Sequence, residues 1–278
     1  MKFKYLIIAF SIIIVIIILV TVLLPLVLVS SAGEITVSFR YITLPLLIFM
    51  ALLLGSLGIF LFFNYRLLSL LDREDWPALA YYLEQKIYVK GRFSRRNVRI
   101  LASSYLVMTD YQSVIKLENK AILAKPSTVE NNILLFGAAR VLSGSPSEAV
   151  AFFKTHLEKG KIKAKDEQWI RWYYGFSLLL SGSFSMVLPE FASLAISSRD
   201  ALITGLPAYF LNNTIAKNCD NSEEGFSAAK TGRTRVVKAL KNLISWKKET
   251  NNMSADIHVA IIKKYINEAG EWLFGEHQ

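Results

Sequence analysis

Residues 168–201 read QWIRWYYGFSLLLSGSFSMVLPEFASLAISSRDA. Apolar residues recur in this stretch at helical spacing, and Gly182 divides it into two runs of helix length. Gly175 precedes this turn glycine by seven residues, and Phe191 follows it by nine. The stretch therefore predicts two helices joined by a tight turn, with a small residue on the first helix facing an aromatic residue on the second.

A second stretch has the same intervals. Residues 130–163 read ENNILLFGAARVLSGSPSEAVAFFKTHLEKGKIK, where Gly137 lies seven residues before Gly144 and Phe153 lies nine residues after it. Residues 95–128 match in part, with alanine at the small position. Three units of about 34 residues predict a repeated helix pair. The alternative is an irregular helical bundle in which the glycine spacing coincides by chance.

The rest of the chain is also helical in pattern. Strand signals are almost absent, and glycine and proline interrupt the apolar periodicity often enough for about ten helices after residue 63. Beyond Ala201 the repeat register is lost, so residues 202–278 are predicted to form C-terminal capping helices. The predicted fold class is all-α, with an α-solenoid of helical repeats over residues 72–201.

Two uncharged apolar runs stand before this region. Residues 5–29 would extend about 37 Å as a helix, which exceeds the ~30 Å hydrocarbon core of a bilayer. Residues 43–63 form the second run. The composition, 53% hydrophobic and 19% charged, agrees with a membrane protein. Residues 1–71 are therefore predicted to form two transmembrane helices, and a cleaved signal peptide is the alternative for the first.

The charges flanking these runs predict an orientation. Lys2 and Lys4 precede the first run, and Arg66 and Arg73 follow the second. The loop between the runs carries one arginine, which one glutamate balances. Because basic residues favour the cytoplasmic side, both termini are expected in the cytoplasm.

The repeated units resemble the tetratricopeptide repeat over roughly residues 95–201, although the early tryptophan of that motif is absent. In that family a small residue lets the second helix approach and an aromatic fills the gap. Two spans followed by such helices resemble the bacterial HemY proteins. The segment around Pro45, with Gly55 and Gly58, is similar to the membrane domain of lipopolysaccharide assembly protein A.

These resemblances imply a two-pass protein of the bacterial inner membrane. They imply a scaffold or adaptor that binds protein partners in envelope or membrane-complex assembly. The alternative that the HemY resemblance implies is a regulatory subunit of a membrane-associated biosynthetic enzyme. The sequence names neither the partner nor the oligomeric state.

A partner-binding groove follows from the repeat, because one face of each first helix would line it. Its predicted residues are Arg96, Arg99, Leu134, Ala138, Val141, Trp169, Trp172, Phe176 and Leu179. The groove grades from basic to apolar, which favours an amphipathic helix of a protein partner. The alternative is that the chain's own C-terminal helices fill it.

Basic residues are in excess, with 32 lysines and arginines against 22 acidic residues and a net charge of +10. Two clusters are predicted to face the lipid bilayer, and their residues are Lys86, Lys90, Arg92, Arg95, Lys238 and Lys241. Such charges are attracted to anionic lipid, although a solvated helix face has the same pattern. No nucleic-acid partner is expected, because no recognition motif accompanies the charge.

Catalytic motifs are absent from the sequence. It holds no phosphate-binding glycine loop, HExxH, GxSxG or CxxC, and its three histidines are widely scattered. Cys219 lies in a polar stretch and is expected to be a free surface thiol. The chain is therefore predicted not to be an enzyme, with no catalytic residue, cofactor or metal ligand.

Overall fold

The computed structural model describes residues 44–275 apart from 161, 163, 221, 254 and 255, together with residues 12, 13 and 16. Every regular element in this part of the chain is a helix, which confirms the all-α prediction. The chain divides into two compact units, Met1–Tyr82 and Leu83–Gln278. The boundaries expected from the sequence, at residues 71 and 201, stay a prediction.

The first unit contains α1, Leu44–Asp72, and most of α2, Trp76–Glu84. The carboxylate of Asp75 accepts a hydrogen bond of 3.1 Å from the N–H of Ala78 and so caps α2. Leu67 is buried. Several large apolar side chains of α1 are exposed, namely Ile48, Phe49, Leu52, Leu53, Ile59, Phe60, Phe62 and Phe63.

The predicted membrane spans need correction. The first, residues 5–29, lies outside the described residues apart from 12, 13 and 16. The second, residues 43–63, is not a separate element, because α1 continues through Asn64 and Arg66 to Asp72. Within the described residues, no helix has both the length and the apolar character that crossing a membrane requires. This finding overturns the predicted two-pass arrangement in an inner membrane with both termini in the cytoplasm.

The second unit begins with the end of α2 and a π-helical turn, Gln85–Val89, and then contains twelve further α-helices within the described residues. They are α3 (Arg95–Val107), α4 (Tyr111–Ala124), α5 (Ser127–Glu130), α6 (Ile133–Leu142), α7 (Pro146–Lys159), α8 (Ala164–Leu180), α9 (Phe184–Ser197), α10 (Ala201–Phe210), α11 (Ser222–Leu240), α12 (Leu243–Met253), α13 (Ile257–Ile261) and α14 (Lys263–Phe274). A π-helical turn, Leu211–Ile215, and a 3-10 turn, Ala216–Asn218, connect α10 to α11. From α3 to α11 the long helices pack against their neighbours in chain order, and α14 packs against α10 and α12.

Two helix pairs cross closely at the predicted glycines. A Cβ atom at Gly137 on α6 would overlap the ring of Phe153 on α7, and a Cβ atom at Gly175 on α8 would overlap the ring of Phe191 on α9. Both phenylalanines are fully buried. The predicted small-to-aromatic contact is confirmed at both places.

The turns between paired helices share a left-handed backbone. Gly144 and Gly182 have φ values of 76° and 75°, a conformation that glycine adopts without steric cost. The corresponding residue of the first repeat, residues 95–128, is Thr109, with φ 58°. The left-handed turn is therefore also present in the first repeat, where a threonine stands in place of the glycine. The sequence pattern could not indicate this.

Candidate functional site

A cleft of about 410 Å³ opens where α3, the start of α6, the first turns of α8 and the segment from the end of α12 to α13 meet. Its charged and aromatic lining includes Arg95, Arg99, Asp166, Trp169, Asp256 and His258. The volume falls within the range of about 300–1,000 Å³ that is typical of ligand sites. We refer to this site as the cleft.

The two arginines come from the first turns of α3. Ser94 caps this helix by accepting a hydrogen bond of 3.2 Å from the N–H of Asn97. Arg95 and Arg99 are four residues apart and therefore lie on one face of the helix. The guanidinium of Arg99 donates a hydrogen bond to Oδ1 of Asp256 at 2.6 Å, and the two side chains are 50% and 42% exposed.

The start of α8 supplies an acidic residue and an aromatic residue. Asp166 and Trp169 both line the cleft. The rings of Trp169 and His258 contact each other edge to face, with their centroids 5.2 Å apart. The hydroxyl of Tyr173, one helical turn further along α8, donates a hydrogen bond of 2.6 Å to the carbonyl oxygen of His258. These contacts hold α13 against α8.

His258 is the most perturbed titratable group of the cleft. Its side chain is 8% exposed, and its Nε2 atom has no hydrogen-bond partner among the described residues. Burial lowers the pKa of His258 to about 4. The Arg99 guanidinium lowers this pKa further, while the carboxylates of Asp256 and Asp166 raise it. The imidazole is therefore neutral near pH 7.

The chain's own C-terminal helices cover the aromatic part of the predicted groove. Trp172 is fully buried and stacks on Phe176, with ring centroids 5.0 Å apart. Phe176 in turn contacts Tyr265 of α14 at 5.3 Å. These two aromatics are core residues, because α13 and α14 occupy the space that a partner helix was expected to fill.

The other predicted groove residues separate into two groups. Arg99, Leu134 and Trp169 line the cleft, as does Arg95 from the predicted lipid-facing set. Ala138 is buried, Val141 and Leu179 are half-buried, and Arg96 is exposed, all outside the cleft lining. The structure therefore brings together one end of the predicted groove and not its whole length.

The remaining predicted lipid-facing residues lie on the surface. Lys86 is half-buried, and its pKa is lowered by burial and then by the charges of Arg92, Arg96 and Lys90, so these side chains form one basic cluster. Lys238 and Lys241 are exposed near the end of α11. Whether these residues meet a lipid surface stays a prediction.

Most cleft residues were not predicted from the sequence, and the titratable ones among them are Glu130, Asp166, Asp256 and His258. His258 lies 159 positions from Arg99, and no local spacing in the sequence connects them. The apolar face of the C-terminal helices did carry a signal, because such a face is expected to pack against another part of the protein. Among the described residues, no group of three or more His, Cys, Asp and Glu side chains is arranged to hold a metal ion.

Residues 113–275 match the family described as "Uncharacterised Treponema protein". The chain belongs to this family. The matched residues run from α4 to the end of α14, so they include both glycine crossings and the α8 and α13 walls of the cleft. A relative from Treponema pallidum (strain Nichols), described as "Uncharacterized protein", is 27% identical over 218 residues, which are 76% of this chain and 69% of the relative.

This membership corrects the resemblances drawn from the sequence. The chain matches the Treponema family and not the tetratricopeptide, HemY or lipopolysaccharide assembly protein A families, so those assignments are wrong. A glycine opposite a phenylalanine is a general way for two helices to pack closely, and it does not identify a family. The regulatory-subunit alternative and the role in envelope assembly lose the resemblances from which they were drawn.

Proposed function

We propose that this chain is a protein-binding scaffold and that the cleft is its recognition surface. The stack of helix pairs is the rigid frame, and the cleft is where charged side chains of several helices converge. The partner is a protein segment that carries charges of both signs, because the cleft itself carries both.

One observation carries this proposal: charges of opposite sign line the cleft without an ion pair among the described residues. Arg95 and Asp166 both line it, and neither forms an ion pair with another described residue. Arg99 and Asp256 are paired across the cleft, in a half-exposed salt bridge that solvent screens. A segment that presents a carboxylate to Arg95 and a basic side chain to Asp166 would complement both charges.

The rest of the lining suits a peptide. Leu134, Ile162 and Met253 supply apolar surface, and Asn252 supplies an exposed amide that can both donate and accept hydrogen bonds. Trp169 forms the floor, since only 5% of it is exposed. Charged groups around an apolar floor are the arrangement of a selective protein interface.

Photo-crosslinking in cells tests this proposal. A photoreactive residue in place of Leu134 should capture a protein, and the same residue in place of Ile244, which is 78% exposed and lies outside the cleft, should not capture that protein. Mass spectrometry of the crosslink then identifies the captured segment. A synthetic peptide of that segment is used for binding measurements.

The peptide should bind the full chain, and Arg95→Ala or Asp166→Ala should weaken its affinity by about tenfold. Lys154→Ala is the matched control, because Lys154 is an exposed lysine of α7 outside the cleft. Equal capture from both positions, or equal affinity of all three variants, would show that the cleft is not the recognition surface.

A further inference from the structure

A second cavity lies in the same unit and shares no residue with the cleft. It measures about 380 Å³ and lies between the π-helical turn, α3 and α4. Its lining includes Glu84, Tyr88 and Tyr105 on one side and Ser113, Lys116 and Lys120 of α4 on the other. We call it the tyrosine–lysine pocket.

A hydrogen bond between Tyr105 and Glu84 orients the tyrosine side of the pocket. The hydroxyl of Tyr105 donates to Oε1 of Glu84, and Tyr88 lines the same side of the pocket. Tyr105 is 4% exposed, and burial together with the Glu84 carboxylate raises its pKa well above the usual range. The phenol therefore stays protonated and orients the carboxylate. Oε2 of Glu84 has no hydrogen-bond partner among the described residues.

The lysine side of the pocket carries the exposed ammonium groups of Lys116 and Lys120. Lys116 and Lys120 are one helical turn apart on α4, and the ammonium of Lys120 lies 4.0 Å from the centroid of the Tyr88 ring. Neither lysine forms an ion pair with a described residue. Glu118 of the same helix pairs with Arg140 instead.

The pocket also contains neutral groups that can form hydrogen bonds. The hydroxyl of Ser113 and the amide of Asn119 line it, and neither side chain is hydrogen-bonded to another part of the described chain. Two ammonium groups at one wall favour a doubly charged anion such as a phosphoryl group. A carboxylate opposite them repels a second anion but accepts hydrogen bonds from hydroxyl groups.

We propose that the tyrosine–lysine pocket binds a small phosphorylated polyol of the sugar phosphate class. The phosphoryl group lies on Lys116 and Lys120, with Ser113 as a neutral donor, and hydroxyl groups of the ligand donate to Oε2 of Glu84. The volume leaves room for the polyol beside the phosphoryl group, because it lies within the range for small-molecule sites.

Titration of the full chain with three probes tests this assignment: glucose 6-phosphate, inorganic phosphate and glucose. Calorimetry should show glucose 6-phosphate binding at least about tenfold more tightly than either of the other two. Lys116→Met and Lys120→Met should each weaken glucose 6-phosphate by about tenfold or more, since each removes a charge-assisted hydrogen bond. Lys154→Met, a lysine outside the pocket, should leave the affinity unchanged.

Glu84→Gln separates the two halves of the proposal. It should reduce the preference for glucose 6-phosphate over inorganic phosphate, because the amide accepts hydrogen bonds less strongly than the carboxylate and no longer repels the anion. Circular dichroism of every variant should retain the helical spectrum. No binding of glucose 6-phosphate, equal affinity for inorganic phosphate, or an equal loss in Lys154→Met would each overturn the assignment.

Discussion

Two arginine–carboxylate pairs of this protein have the same length and very different surroundings. Arg140 and Glu118 join α6 to α4 with an N–O distance of 2.6 Å, and their side chains are 13% and 4% exposed. Arg99 and Asp256 are also 2.6 Å apart, but their side chains are 50% and 42% exposed. Distance therefore does not distinguish the two pairs, and burial does.

The two ion pairs have different roles because they differ in burial. Arg140 also donates a hydrogen bond of 3.1 Å to the carbonyl oxygen of Phe136, and its guanidinium lies 4.3 Å from the ring centroid of Phe152. Water cannot replace these contacts, so the Arg140–Glu118 pair stabilises the packing of the helices. We call it the framework pair. The Arg99–Asp256 pair, which we call the cleft pair, is half exposed, so water screens it and a ligand of the cleft can reach it.

The largest expected effect is in the framework pair. Arg140→Met should lower the free energy of unfolding by about 3–5 kcal/mol, because it leaves Glu118 buried without a partner. Urea denaturation of the full chain, followed by circular dichroism, measures this loss.

A double variant is the matched control for the framework pair. Glu118→Leu combined with Arg140→Met should recover most of the lost stability, because no buried charge remains. If the single variant were as stable as the wild type, the distinction between the framework pair and the cleft pair would fail.

The second prediction concerns the wall of the cleft. The pKa of His258 is about 4 in the folded chain and about 6.5 in the unfolded chain, so only the unfolded chain takes up the proton between these values. Stability should be complete above pH 6.5 and fall by about 3 kcal/mol as the pH decreases to 4. The charges that face this imidazole are Arg99, Asp256 and Asp166.

Urea denaturation at several pH values measures the His258 contribution. His258→Gln should flatten the pH dependence between pH 6.5 and 4, and His156→Gln, a half-exposed histidine of α7, should leave it as in the wild type. The same slope in all three chains would mean that His258 is not buried as described.

The framework could be predicted from the sequence to a large extent. Helical periodicity and the matched intervals around Gly137 and Gly175 identified the helix pairs and their closest contacts, because such packing is encoded by residues near in sequence. The positive φ of Thr109 and the Arg140–Glu118 pair escaped this pattern. A threonine gives no signal for positive φ, and the pair joins residues 22 positions apart on two different helices.

The cleft could be predicted only in part. Arg99, Leu134 and Trp169 were placed on one surface through the helical repeat, but Asp256 and His258 reach that surface from the C-terminal helices. The spacing of residues near in sequence does not predict where a terminal helix packs. For the same reason, Trp172 and Phe176 had the pattern of an interface and are core residues, since core and interface use the same spacing of three and four.

The third prediction returns to the framework. Gly137→Leu should lower the free energy of unfolding by about 1–3 kcal/mol or more, because the new side chain overlaps the Phe153 ring. Combining it with Phe153→Ala should restore part of the loss, which shows that the two positions meet. Thermal melts of the two single variants and the double variant measure this coupling. Strictly additive losses would contradict the close crossing of α6 and α7.

The smallest expected effect on stability is in the cleft pair, and it is the sharpest test of the comparison. Arg99→Ala should change the free energy of unfolding by about 0–1 kcal/mol, because both partners are half exposed and screened by water. Asp256→Ala should give the same result. In a double-mutant cycle the two losses should show a coupling of less than about 1 kcal/mol.

Binding should respond to the same variants far more than stability does. The peptide captured at Leu134 should bind Arg99→Ala about tenfold more weakly, because the guanidinium is one of two that line the cleft. Fluorescence anisotropy of the labelled peptide measures this change, and urea denaturation of the same samples measures stability. If Arg99→Ala lost several kcal/mol of stability and its peptide affinity stayed intact, the Arg99–Asp256 pair would belong to the framework, and the cleft would lose its central contact.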